Sequence, residues 1–223
     1  MTSPSEEENS ILRRREMVER QLKARGIRHP QLLAAFLETP RELFIPEERR
    51  YEAYEDCPVP IGYGQTISQP YVIALMIQEL DVGPQHIVLD VGAGSGYQTA
   101  LLSRLAKHVY AVERLPQLTE QAINTLGALG VPNVTLSTQD GSLGWAAQAP
   151  FDRIICGAAA LDVPKPWIEQ LADGGRIIMP LGAEHSQELV LLERHGKDIR
   201  RRQLGGVRFV KLIGRGHGAW PED

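Results

Sequence analysis

Gly92, Gly94 and Gly96 alternate with Ala93 and Ser95 directly after Asp90-Val91, and no other stretch concentrates so much potential chemistry. Residues Ile87–Val91 are apolar apart from Asp90 and rich in β-branched side chains, the pattern of a buried parallel strand, and Leu101 and Leu102 continue an apolar helical face beyond the glycines. Strand, glycine turn and helix in that order make a nucleotide-binding corner. Glycine lets the backbone turn sharply and lets a ligand come close, and a helix start offers unpaired N–H groups to an anion. A dinucleotide site asks for G-x-G-x-x-G. Here its third position is Tyr97, so the spacing is G-x-G-x-G. Two more acidic residues follow expected strands. Glu113 can face two ribose hydroxyls with two acceptors, and Asp140, followed by Gly141, is placed to accept from an adenine amino group.

A second group, Gln65-Thr66-Ile67-Ser68, offers two hydroxyls and no base. It lies in 56–71, where prolines and glycines predict a long loop with no regular element. Long loops in compact domains are functional or disordered, and Val59, Ile61 and Ile67 argue that this one packs. On the residues alone, Ser68 reads as a turn hydroxyl bonding its own backbone.

The elements around these groups follow from periodicity. Ile11, Val18 and Leu22 share one helical face with Gly26 as its cap, and Pro30–Glu38 is a second helix stopped by Pro40. The run Arg13-Arg14-Arg15, with Glu16 and Glu19 beside it, reads as a solvated face. A helix over 72–80 precedes Gly83-Pro84. From Ile87 the chain alternates strands (Ile87–Val91, 108–112, Val134–Thr138, 153–156, 176–180) with helices (97–106, 117–129, 167–171), the mark of a doubly wound, mostly parallel α/β sheet. Two β segments, 188–192 and 207–213, are expected to end the chain, joined by a charged turn at 195–202. All of 1–223 is expected to form one domain: a loose tail at 1–9, N-terminal helices and hydroxyl loop at 10–82, the nucleotide-binding core at 83–182, and β segments at 183–223.

Composition narrows the classes. The chain of 223 residues is 43% hydrophobic and 23% charged, globular proportions long enough for a full core. A net charge of -4 supplies no basic field of the kind nucleic-acid partners need. Cys57 and Cys156 stand far apart without C-x-x-C, which indicates neither a disulfide framework nor zinc. No signal-type segment or membrane-spanning run is visible. These features predict a reduced, cytoplasmic monomer without metal, nucleic-acid or membrane partners.

The turn preceded by Asp90 resembles motif I of the class I S-adenosylmethionine (AdoMet) methyltransferases. From about residue 15 onward, the chain resembles one family more closely, the protein-L-isoaspartate (D-aspartate) O-methyltransferases. The match includes Pro40-Arg41-x-x-Phe44-Ile45-Pro46, Pro60-Ile61-Gly62-x-x-Gln65-Thr66-Ile67-Ser68-Gln69-Pro70, Val112-Glu113-Arg114, Asp140-Gly141-x-x-Gly144-Trp145 and Val207-Arg208-Phe209-Val210. Many methyltransferases share the glycine motif; the stretch 65–70 is far more particular. The chain departs from the family at Cys156-Gly157, at Gln139, and at Lys211, where proline is frequent.

The resemblance implies the Rossmann-like class I fold and repair of damaged protein. AdoMet would methylate the free carboxylate of an isoaspartyl or D-aspartyl residue and leave S-adenosyl-L-homocysteine (AdoHcy). The ester then collapses to a succinimide that can reopen to aspartate. By the same resemblance, Ser68 is the active-site serine with Thr66 beside it. Asp90, Gly92, Gly94, Ser95, Gly96, Glu113, Asp140 and Gly141 hold the cofactor, with Asp90 toward the methionine ammonium. Gln65, Ile67 and Val210 meet the substrate, an isoaspartyl protein or peptide. The alternatives are an AdoMet methyltransferase acting on RNA or a small molecule, and a non-catalytic AdoMet-binding module.

Overall fold

The computed structural model describes residues 6–221. Helix α1 (Glu6–Glu16) runs on through a π-helical turn (Met17–Leu22) and a 3-10 turn (Lys23–Arg25), which Gly26 ends at φ 93°. The segment expected as a loose tail is therefore helical from Glu6, and its residues 1–5 lie outside the described residues. The wider π turn shifts the helical phase. Met17, Val18 and Leu22 are buried while Ile11 stays 37% exposed, so Ile11 does not join the expected face. Nor is the arginine run merely solvated. Arg13 donates to the Tyr51 carbonyl at 2.7 Å, and Arg14 to the Tyr54 hydroxyl at 3.0 Å and the Leu37 carbonyl at 3.1 Å, strapping α1 onto the chain that follows. Helix α2 (Pro30–Glu38) has the expected bounds, with proline in its first turn and the His29 ring accepting from Leu32 N–H.

Residues 56–71 are not free of regular structure. They contain a hairpin of β1 (Val59–Gly62) and β2 (Gln65–Ile67), turned by Tyr63 (φ 52°) and Gly64 (φ 70°). Positive φ at both turn positions matches the twist of a two-residue hairpin, which the pattern of prolines had concealed. Pro60 is tolerated because it faces outward on a two-stranded ribbon. Val59, Ile61 and Ile67 are buried beneath it, as their apolar character required.

After α3 (Pro70–Leu80) come β3 (Ile87–Val91), α4 (Tyr97–Ser103), β4 (His108–Glu113), α5 (Pro116–Ala128), β5 (Val134–Thr138), β6 (Phe151–Cys156), α6 (Lys165–Gln170) and β7 (Leu171–Ala183). Strands β3 to β7 are parallel, and a final hairpin of β8 (Ser186–His195) and β9 (Asp198–Val207) joins antiparallel to β7. The sheet order is β5-β4-β3-β6-β7-β8-β9, the expected doubly wound α/β architecture. The winding reverses between β3 and β6, so the ligand crevice belongs at their carboxyl ends.

The C-terminal part differs from expectation. The charged stretch 195–202 is largely strand β9, an edge strand where arginines face solvent and discourage further pairing. Beyond Val207 the chain makes only single bridges, Lys211 with Ala159 and Ile213 with Trp220, rather than a strand over 207–213. Strand alternation splits the core. Val88, Ile155 and Ile178 pack toward α3 and α4 with Ile77 and Leu101, whereas Leu89, Ile154 and Ile177 pack toward Trp167 on the opposite face. The Trp167 indole donates to the Gly141 carbonyl at 2.9 Å, fixing the turn after β5 to α6. Among the described residues, no helix is long and apolar enough to cross a membrane.

Candidate active site

The glycine turn hooks the end of β3 onto the end of β4. Gly92 and Ala93 both donate to the Val112 carbonyl, at 2.9 and 3.1 Å, and Gly94 donates to Glu113 Oε2 at 2.9 Å. Gly92, Gly94 and Gly96 hold φ of 77°, 55° and 89°, values that other residues seldom adopt. Close packing adds a second constraint: a Cβ on Gly96 would lie 3.1 Å from that of Ala122, and one on Gly94 3.2 Å from Ile61 Cδ1. Glu113 is buried at the tip of β4, with Oε1 accepting from Leu115 N–H at 2.9 Å. Each of its oxygens keeps a further acceptor position.

Three cavities meet beside this turn, at Thr66 and Gly157. The first is lined by Gln65, Thr66, Gly92, Gly94, Glu113, Gly141, Gly157 and Val210. A second lies under the turn among Ile67, Ser68, Ser95 and Gln98. The third is an open cleft between the β1–β2 hairpin and the C-terminal hairpin, with Ser68, Gln69, His185, Arg208 and Val210 on its walls. Thr66 and Gly157 border all three. A Cβ at Gly157 would stand 3.3 Å from the Gly92 carbonyl oxygen, so glycine keeps this junction open.

Two of the expected acidic residues stand behind the cavity walls rather than on them. Asp90 has no exposed surface and lines none of the three cavities. Its carboxylate accepts from Gln98 Nε2 at 2.7 Å and Thr99 Oγ1 at 2.6 Å, beneath the first turn of α4. Asp140 also stays off the cavity walls. Its Oδ1 accepts from Ser142 N–H and hydroxyl at 3.0 and 2.5 Å, and its Oδ2 from Arg215 N–H at 2.8 Å. Gly141 does line the first cavity, and its Cβ would meet Val91 Cγ1 at 2.6 Å.

Histidines and thiols complete the inventory. His86 and His108 stand at the amino ends of β3 and β4, away from the turn; His86 Nδ1 accepts from Gly83 N–H at 2.9 Å, and His108 bonds Thr135. His185, passed over in the sequence, lies on the open cleft with Ser68. Burial pushes the Cys156 thiol up to about 12, which leaves it protonated and inert. Arg41, matched in sequence but given no role, is wholly buried and donates to the Ser68 carbonyl at 2.8 Å. No spacing pattern signals it, because its partners are backbone atoms remote in sequence. Among the described residues, no group of three or more His, Cys, Asp or Glu could hold a metal ion.

Burial dominates at Asp90: it lifts the carboxyl from 3.8 to about 6, against the opposing bonds from Thr99 and Gln98. The neutral acid therefore favours the ligand-free fold. That contribution is complete below the unfolded value, declines as pH rises between the two, and is lost above the folded value. Asp90→Asn stays neutral throughout and can still bond Thr99. Its stability relative to the parent should rise by about 2 kcal/mol from pH 4.5 to pH 7.5, read by urea unfolding of ligand-free protein. Parallel curves for the two proteins would mean that Asp90 is already ionised at the lower pH.

A model of the protein-L-isoaspartate(D-aspartate) O-methyltransferase family matches residues 12–217. The protein-L-isoaspartate O-methyltransferase of Methanoregula boonei is 49% identical over 202 residues, covering 91% of this chain and 93% of its own. That of Desulfosudis oleivorans is 46% identical over 223 residues, the full length of both. Among solved structures, a Plasmodium falciparum protein assigned as a protein-L-isoaspartate O-methyltransferase, in complex with S-adenosyl-L-homocysteine, matches with a TM-score of 0.78 and 27% identity over 89% of this chain and 97% of that one. Glycine turn, switch-point crevice and hydroxyl loop thus occur in a chain that matches such enzymes over nearly its whole length, and it belongs to the protein-L-isoaspartate(D-aspartate) O-methyltransferase family.

Proposed function

We propose that this chain is a protein-repair enzyme that transfers a methyl group from AdoMet to the free carboxylate of isoaspartyl and D-aspartyl residues in damaged proteins and peptides. One observation carries the reading: Thr66 and Gly157 border both the cavity at the glycine turn and the open cleft, so a cofactor in one would face a peptide in the other. The donor set suits AdoMet. The cradle at Gly94 is one that a Cβ would narrow, Glu113 offers acceptors to ribose hydroxyls, and Gly141 gives a flat wall without room for a side chain. Asp90, from behind the turn, would act on the methionine ammonium through the α4 start that it fixes. Asp140 would act on the adenine end through the 141–143 turn that it caps.

When bound, AdoMet supplies a methyl on positive sulfur, which a carboxylate oxygen takes while the carbon–sulfur pair stays with sulfur and no proton moves. The residues of this chain therefore have little acid–base work. An α-carboxyl titrates near roughly 3.5 and is ionised at neutral pH. What remains is to exclude water, which weakens the charged reactants more than the transition state, and to align oxygen with the methyl. Ser68 and Thr66 donate to the oxygen that does not attack; Gln65, Ile67 and Val210 bound the peptide. Isoaspartate carries one more backbone methylene than aspartate, so its carboxylate leaves the main chain at a different place. Hydrogen bonds along the cleft discriminate strongly, because the wrong isomer leaves buried groups unpaired. The two thiols are free, which suits a reducing cytoplasm, and a monomer suffices for the site.

The defining test is incubation with radiolabelled AdoMet and paired isoaspartyl and aspartyl peptides. Base-labile label on the isoaspartyl peptide alone is expected; equal kcat/KM for the two isomers, or label on RNA only, would refute the assignment. Glu113→Ala should weaken calorimetric AdoHcy binding by about 1–3 kcal/mol, the worth of charge-assisted hydrogen bonds. An unchanged affinity would remove Glu113 from the cofactor site. Finally, kcat/KM should show no histidine-like inflection between about pH 6 and 8.5, and Ser68→Ala should lose about 1–3 kcal/mol in kcat/KM without being inactive. A titration that disappears in His185→Asn would identify a general base and overturn this mechanism.

A further inference from the structure

Among the described residues, Arg41 is the one cation with no exposed surface, and no carboxylate lies within ion-pair distance of it. Backbone answers it instead. Its Nε donates to the Ala53 carbonyl at 2.8 Å and its Nη2 to the Ser68 carbonyl at 2.8 Å. Those carbonyls bracket the β1–β2 hairpin, one before it and one after, so a single guanidinium closes the hairpin at its root. The guanidinium carbon also stands 4.9 Å from the ring centroid of Tyr97, the first residue of α4 after Gly96. One side chain thereby touches the root of the hydroxyl loop and the residue following the glycine turn.

Folding does not obviously need this arrangement. A buried cation without a charged partner is unfavourable, and an apolar side chain of similar volume often packs at no loss of stability. Nη1 and the Tyr97 hydroxyl are buried with no hydrogen-bond partner outside the Arg41–Tyr97 pair. Nor is helix α3 served: its first turn uses the Gln69 carbonyl, to which Val72 and Ile73 donate, and not that of Ser68. Only the planar fork of arginine bonds two carbonyls in fixed directions; lysine is a point donor on a flexible stem. Burial lowers Arg41 to about 10, still high enough to keep it charged at neutral pH.

We infer that Arg41 is a positioning residue for methyl transfer: by holding the Ala53 and Ser68 carbonyls, it sets the direction in which the Thr66 and Ser68 hydroxyls face the cleft that adjoins the cofactor cavity. This rests on the proposal above that those hydroxyls orient the substrate carboxylate.

The test compares Arg41→Met, Arg41→Lys, Ser68→Ala and the Arg41→Met/Ser68→Ala double variant for kcat and KM with an isoaspartyl peptide, AdoHcy affinity by calorimetry, and Tm. Arg41→Met should keep its Tm and bind AdoHcy within twofold of the parent, while kcat falls at least tenfold. Arg41→Lys should recover part of that loss. The double variant should be no slower than the slower single one, since both act on the same contact. Losses that multiply in the double variant would overturn the inference, as would a kcat for Arg41→Met within twofold of the parent. A loss shared equally by Tm and AdoHcy affinity would reduce Arg41 to a folding residue. An active Arg41→Met beside a slowed Ser68→Ala defeats the Arg41 inference alone; a Ser68→Ala variant at full rate defeats the loop's proposed role and the inference with it. If Arg41→Met does not fold, Arg41→Lys decides by the same measurements, a kcat within twofold of the parent overturning the inference.

Discussion

The hydrogen bonds between the tip of β4 and the glycine turn are the constraint on which the rest depends. A chain that leaves a parallel strand and reverses into a helix leaves several N–H groups without a ladder partner, and buried ones must be satisfied. Here Gly92 and Ala93 share the Val112 carbonyl, and Gly94 uses the Glu113 carboxylate. The turn is thus built before any ligand arrives, and little ordering cost is left for binding. Glu113 serves twice, as a strut of the turn and as part of the cavity wall. Replacing it would disturb both.

Around that hook, the fold brings together two halves that are far apart in sequence. The switch point between β3 and β6 makes a crevice at one end of the sheet, which any chain of this topology would have. The β1–β2 hairpin, delivered from the N-terminal side, walls the crevice by placing Gln65, Thr66 and Ile67 beside it. On the far side, Gln187 on β8 holds the main chain of Phe209, accepting from its N–H at 2.7 Å and donating to its carbonyl at 3.2 Å, and so sets Val210 at the edge of cavity and cleft. On the proposed function, the division of labour is physical: the rigid parallel sheet would carry the cofactor end, and the short hairpins and extended segments the peptide end.

Much of this was legible in the residues, and the failures have identifiable causes. Ile87–Val91 came out at its expected bounds because a parallel strand buried on both faces is an almost continuous apolar run. Val134–Thr138, at the sheet edge, came out at its expected bounds on β-branched residues that alternate in burial. Asp90, expected at the ligand, lies by strand alternation on the face of Val88, beneath Gln98 and Thr99 of α4. Counting by twos along β3 would have placed it there. Asp140 could not be read this way, since its partner Arg215 lies 75 residues on in sequence. The hairpin at 59–67 was missed because the glycines and prolines that forbid long strands are also those that make a tight turn and an outward-facing edge. Strand β9 was missed because charge is used there to protect an edge, and the same charge reads as a loop. His185 carried no local signal; only the folding of β8 beside the hydroxyl loop brings it to the cleft.

The central claim is spatial: a carboxylate in the open cleft meets the cofactor's sulfur at the junction bordered by Thr66 and Gly157. The most direct measurement is a crystal structure of the ternary complex with AdoHcy and an isoaspartyl peptide. The account predicts the AdoHcy ribose on Glu113, the peptide extended between Ser68 and Val210, and its free carboxylate directed at the sulfur past Thr66. A peptide seated elsewhere on the surface, or a carboxylate separated from the sulfur by the hairpin, would contradict it.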